Sequence, residues 1–103
     1  MFVAKVIGTV VCTQKTQSMT GQRLLVVEPY RLDDARQGLK TAGRTFVAVD
    51  TVGAGEGELV LIVQGSSARL TPETKSLPVD TVVVGIVDSV HVEQGCVYAK
   101  KSS

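Results

Sequence analysis

Aliphatic runs alternate along this chain with polar stretches punctuated by glycine, and the runs are short and rich in valine. Residues 2–13, FVAKVIGTVVCT, form the first. β-Branched side chains lose rotamer freedom in a helix and pack well on a pleated surface, so a strand is predicted. Gly8 in its middle predicts a bend or bulge, making this a long, curved strand. Residues 14–22 are polar and read as a loop before a second strand at 23–27. Pro29 has no amide hydrogen and predicts either the end of that strand or an edge position. Residues 31–44, RLDDARQGLKTAGR, are the most polar segment. Asp33 could cap one helical turn, but Gly38 and Gly43 interrupt anything longer, so an extended hairpin loop is expected.

The third strand covers residues 45–50, with Phe46, Ala48 and Asp50 on one face and Thr45, Val47 and Val49 on the other. A turn carrying Gly53, Gly55 and Gly57 leads into a fourth strand at 58–64. Ser66 can cap a short helical turn through Arg69, and Thr71-Pro72-Glu73 is a second helix-start signal. Pro78 ends that polar stretch. Residues 79–92, VDTVVVGIVDSVHV, read as one long last strand bent at Gly85, and 95–99 as a brief additional strand, with fraying after about residue 99. The organisation expected is a single domain over residues 1–103 with a C-terminal extension at 92–103. Five principal strands joined by helical turns predict an all-β fold, a small five-stranded OB-like barrel of the oligonucleotide/oligosaccharide-binding type.

Composition narrows what such a barrel can do. A chain of 103 residues buries roughly two-thirds of its unfolded surface, so one shallow core is available. Apolar residues make up 44 % of the chain, but the aromatic ones are only Phe2, Tyr30, Phe46 and Tyr98. Eleven basic and ten acidic residues leave a net charge of +1 with no long run of either sign, which excludes the electrostatic footprint of a nucleic-acid or membrane binder. Single-stranded nucleic acid would also require aromatic platforms interleaved with basic residues. The longest aliphatic run, residues 82–87, falls far short of the roughly 20 residues of a membrane-spanning helix. Cys12 and Cys96 lie far apart, and Lys5 interrupts any signal-like N-terminus, so a reduced, cytoplasmic setting is expected.

The candidate chemistry is thin. Gly53-Ala54-Gly55-Glu56-Gly57 suggests a phosphate loop, but such loops open a helix, whereas Leu59-Val60-Leu61-Ile62-Val63 is strand-like and Glu56 and Glu58 would repel the anion. The glycines therefore point to a conformational or close-packing demand. Asp88, Ser89 and His91 hold the side chains of a catalytic triad, yet on one strand Asp88 faces away from the other two. His91 is the sole histidine and lacks metal-ligand spacing around it, so it reads as a solvated or interface residue. Cys12, in a valine-rich run, reads as a small core residue. Branched residues on both faces of the first and last strands (Val3, Ile7 and Val11 opposite Val6 and Val10) predict that part of the second face is buried against another subunit.

Four stretches together carry a specific likeness: GTVVCTQK at residues 8–15, LLVVEP at 24–29, VAVDTVGAGEGELVLIVQGSSAR at 47–69 and PVDTVVVGIVDSV at 78–90. In this order the chain resembles the vertex-protein family of bacterial microcompartment shells, the EutN/CcmL family, and the tail VHVEQGCVYAKK resembles its carboxysome branch. Residues 31–44 depart from the pattern in being longer and more basic than the family's short acidic hairpin. The resemblance implies a non-catalytic structural protein without cofactor or metal, forming homopentamers that cap the five-fold vertices of a shell otherwise tiled by hexameric proteins. It would sit in the cytoplasm within the shell of a carboxysome, the compartment of carbon dioxide fixation in photosynthesis, with no nucleic-acid or membrane partner. The alternatives are the shell of an ethanolamine or diol compartment and, further off, a single-strand nucleic-acid-binding barrel. The residues carried over as turn, pore or interface candidates are Gly53, Ala54, Gly55, Ser66, Ser67, Ala68, Arg69, Pro78 and Asp80.

Overall fold

The valine-rich runs do become strands. The computed structural model describes residues 1–15, 17–19, 21–33, 38–65, 80–93 and 95–100. Its elements are β1 (Phe2–Val10), a 3-10 turn (Gln17–Met19), β2 (Arg23–Leu32), β3 (Leu39–Thr41), β4 (Phe46–Asp50), β5 (Leu59–Gln64), β6 (Thr81–Ile86), β7 (Ser89–Val92) and β8 (Gly95–Ala99). The main sheet runs β1-β5-β6-β4-β2-β3, and β1 also pairs with β2. That extra pairing closes β1, β5, β6, β4 and β2 into a five-stranded barrel, leaving β3 appended to β2. All neighbours in the ring are antiparallel except β4 and β6, which run parallel with Val49 opposite Val82.

Two bulges bend the barrel. Against β2, Val6 faces Val27 and Gly8 faces Val26, so Ile7 is the extra residue and the bend expected near Gly8 is there. Against β5, Gly85 faces Leu61 and Val83 faces Ile62, which leaves Val84 as the extra residue beside the expected bend at Gly85.

Pro29 does not end the second strand, which continues to Leu32. Its carbonyl accepts from the Ala42 amide at 2.8 Å, on the β3 side. In an extended residue the amide points the same way as the carbonyl. The missing N–H therefore faces Ala42, between the last β4 pairing, at Val27, and the first β3 pairing, at Tyr30, and the strand forgoes only the reciprocal bond of that one pair. Of the segment 31–44, the described residues on either side of 34–37 pair antiparallel, Arg31 with Lys40 and Leu32 with Leu39, and the Asp33 amide donates to the Gly38 carbonyl at 3.0 Å.

The barrel interior is filled by Ala4, Val6, Leu25, Val27, Ala48, Ala54, Val60, Ile62 and Val83, with Phe2, Phe46 and Ile86 packed against them. Each fully buried Val, Leu or Ile side chain contributes roughly 1.5–3 kcal/mol. A second cluster, Val49, Val63 and Val82 with Met19, Leu24 and Val84, lies on the other side of the wall. The 3-10 turn thus lays Met19 over outward-facing residues, and this part of the second apolar face is covered by the chain itself. Elsewhere Ile7, Val11, Val47 and Val52 stay exposed.

Two strand ends differ from expectation. β1 stops at Val10, and Cys12 lies beyond it, exposed rather than in the core. The last aliphatic run divides in two: the Val87 amide donates to Leu59 at 2.8 Å, after which the chain leaves the barrel and pairs β7 with β8 as a separate hairpin. That pairing begins at Ser89, ahead of the residue-92 boundary. Lys100 is also anchored, its amide donating to the Asp88 carbonyl at 2.7 Å.

Candidate functional site

The turn between β4 and β5 is built around two carboxylates. Asp50, the last residue of β4, accepts through one oxygen from the Val52 and Gly53 amides, both at 3.0 Å, and through the other from the Ala54 amide at 3.0 Å. The second oxygen also takes the Arg23 guanidinium at 2.9 Å, and the Asp50 side chain is only 1 % exposed. Arg23 stands opposite Asp50 in the β2–β4 ladder, so the register itself delivers the cation. Its guanidinium also donates to the Ala54 carbonyl, closing a ring around the turn. Ala54 is fully buried in the barrel core, so its methyl plugs the barrel where the turn crosses it.

Glu58 organises the second half. Its carboxylate accepts from the Gly55 amide at 2.6 Å and from the Lys100 ammonium at 2.6 Å. The Gly57 amide donates to the Val6 carbonyl at 2.8 Å, fastening the turn to β1. Lys100 first, and then the Gly55 amide, hold the Glu58 carboxyl below its usual value of 4.5. The same hydrogen bond holds the Lys100 ammonium above 10.5. The turn does cradle anions, but the anions are the chain's own carboxylates. The amides of Val52, Gly53, Ala54 and Gly55 all have acceptors within the chain, and no phosphate is required to explain them.

The glycines divide by role. Gly53 and Gly57 adopt φ of 79° and 88°, where a side chain is strained. Gly55 is not in that region, and a Cβ built on it would meet only the Glu58 carboxylate at 3.5 Å, an ordinary contact. Gly55 is among the residues expected to matter and Gly57 is not, because spacing alone does not reveal which glycine turns left-handed.

Asp80 lies elsewhere, at the neck of the connector between β5 and β6. Its carbonyl accepts from the Gly65 amide at 2.8 Å, and its carboxylate accepts from the Thr81 hydroxyl at 3.3 Å. The two ends of the connector therefore meet. Ser66, Ser67, Ala68, Arg69 and Pro78, with the helical turns expected at 66–69 and 71–73, lie outside the described residues. Asp50, Arg23 and Glu58 were missed as organising residues. The signal was present in a carboxylate ending a strand directly before a glycine turn, the setting in which Asp caps successive amides.

No triad assembles. Ser89 and His91 share a face of β7, as expected, with the imidazole 3.1 Å from the hydroxyl, but both are exposed and Asp88 precedes the strand. Among the described residues no group of three or more His, Cys, Asp or Glu side chains could hold a metal ion, and no helix is long and apolar enough to cross a membrane.

Comparison with known proteins places this geometry in context. Residues 1–88 match the family described as "Ethanolamine utilisation protein EutN/carboxysome". The chain is 46 % identical over 101 residues to the carboxysome shell vertex protein CcmL of Synechocystis, covering 98 % of this chain and 96 % of that one. Among solved structures, the pentameric microcompartment shell protein GrpN of Rhodospirillum rubrum superposes with a TM-score of 0.73 at 49 % identity, covering 89 % of this chain and 99 % of that one. The ethanolamine utilisation protein EutN of Escherichia coli superposes with a TM-score of 0.80 at 41 % identity, covering 96 % and 97 %.

Proposed function

The chain belongs to the EutN/CcmL family, and from that premise we propose that it is a non-catalytic shell protein whose homopentamers occupy the five-fold vertices of a bacterial microcompartment, most specifically a carboxysome. The observation that carries the reading is the 46 % identity to a carboxysome vertex protein over 98 % of the chain, a match that continues past residue 88 into the β7–β8 hairpin. The fold supports it: a closed barrel has no free edges around its ring, and the side chains that organise its most glycine-rich turn are engaged in holding that turn. A heterologous contact repeated by a closing rotation makes a ring. A ring of five is the element that lets a hexagonal sheet of hexameric shell proteins close into a polyhedron. Gly53 and Gly55 of the turn and the connector neck at Asp80 are the parts of each barrel assigned to subunit contact or pore rim, together with Ser66, Ser67, Ala68, Arg69 and Pro78, whereas Ala54, fully buried in its own barrel, serves the turn alone.

The shell of an ethanolamine compartment is the second reading, because the EutN structure also spans the C-terminal hairpin. Native mass spectrometry of the purified chain should give a pentamer. Co-expression with carboxysome hexameric shell proteins should give closed polyhedral shells, and omission of this chain should give open or elongated ones. A chain that stays monomeric at every concentration, or forms a hexamer, removes the vertex reading. Closure only with hexamers of an ethanolamine compartment selects the second.

A further inference from the structure

Gly8 is a glycine that its own chain does not require. Its φ is not in the left-handed region, and a Cβ built on it would meet only the Val26 Cβ, at 4.0 Å. A side chain here would thus fit the barrel, and β-branched residues are favoured in strands while glycine weakens them. Glycine inside a strand otherwise marks a bulge or a place where another backbone comes close. The bulge is present, but its extra residue is Ile7, and neither conformation nor packing excludes a Cβ at Gly8.

The surroundings of Gly8 indicate what comes close. Val26 lies between the inward-facing Leu25 and Val27, and Val47 between the core residues Phe46 and Ala48, so both point outward. Gly8 pairs with Val26 and Val26 with Val47, giving one outward row across β1, β2 and β4. Ile7 flanks that row and is 45 % exposed, while Val47 is 53 % exposed. On one side the next outward pair is Lys5 with Glu28. On the other side is the row of Val10, Leu24 and Val49, of which Leu24 and Val49 join the cluster that includes Met19. The uncovered strip is aliphatic, carries no charge and is bordered by a pair of opposite charges, which is the anatomy of an interface core with a polar rim.

Resting on the pentamer reading above, we propose that the strip Ile7, Gly8, Val26 and Val47 is the core of the contact with the neighbouring copy of this chain, and that Gly8 is glycine so that the neighbour's backbone can lie directly on the β1 bulge. The occupant is a second copy because a ring of these barrels must cover part of each outer wall, and this strip is aliphatic wall that the chain itself leaves open.

The test is Gly8→Val alongside Val47→Lys, each compared with the parent chain by native mass and far-UV circular dichroism. Both variants should keep the strand spectrum of the parent yet run at the mass of a single chain at concentrations where the parent is a pentamer. Folded pentamers of both variants would overturn the inference and leave the pentamer reading intact. A parent that never forms a pentamer would remove that reading, and the inference with it. If Gly8→Val does not fold, Val47→Lys decides, since the Val47 side chain already stands largely in solvent in the single chain.

Discussion

Asp50 sits where one carboxylate serves the amides of Val52, Gly53 and Ala54 and the guanidinium of Arg23. Its side chain is almost wholly buried, so removing it leaves donors whose desolvation is no longer compensated. Asp50→Ala should destabilise the barrel by roughly 2–3 kcal/mol, read as a lower urea midpoint with an unchanged slope. A loss below a few tenths of a kcal/mol would show that water replaces the carboxylate freely. The glycines give a paired prediction. Gly53→Ala must hold a side chain at a φ of 79° and should cost about 1 kcal/mol. Gly55→Ala meets only ordinary contact and should stay within about 0.5 kcal/mol of the parent. Equal costs at the two positions would contradict the division of roles. That a glycine turn follows Asp50 was legible in the residues. Which glycines take positive φ was not, because that depends on how the Asp50 cap and the Glu58 clasp draw the backbone.

The C-terminal hairpin tests the next level of organisation. β7 and β8 pair with each other rather than with the barrel, and the tie back to the glycine turn is Lys100 on Glu58. Glu58 has a lowered pKa, so its contribution is present above the ordinary value of 4.5 and is lost as pH falls through the depressed value. Lys100 has a raised pKa, so its contribution is present below 10.5 and is lost as pH rises through the elevated value. Protection of the Lys100 amide from hydrogen exchange should therefore be greatest between these limits and fall under acid. In Lys100→Met the acid dependence should flatten and high salt should have little further effect, since the tie is exposed and easily screened. Acid sensitivity retained in full by Lys100→Met would assign it to another group. A single strand over residues 79–92 was the reading the valine pattern supports. The break at Val87 and Asp88 escaped it because β-propensity does not say which neighbour a strand pairs with.

For the whole molecule, an OB-like barrel does not bring oligonucleotide binding with it. The barrel of this chain carries balanced charge, and its uncovered strip holds aliphatic rather than aromatic side chains. Titration with a fluorescent single-stranded oligonucleotide at low salt should show no saturable binding. Salt-sensitive binding there would return the chain to the nucleic-acid class.

Several features follow from the residues alone. The all-β class, the strand faces and the bends near Gly8 and Gly85 are local consequences of branched side chains, period-two alternation and glycine placement, and the family likeness rests on the order of four specific stretches. Tertiary structure decided which part of the apolar surplus the chain itself covers. Both faces of the wall are valine-rich, and nothing in that pattern distinguishes Val49, covered by Met19, from Val47, left open. The distinction depends on where the 3-10 turn lands, a long-range contact that no local preference encodes. The same holds for the glycine turn, whose amides are filled by Asp50 and Glu58 because strand register and the returning C-terminus bring Arg23 and Lys100 to those carboxylates.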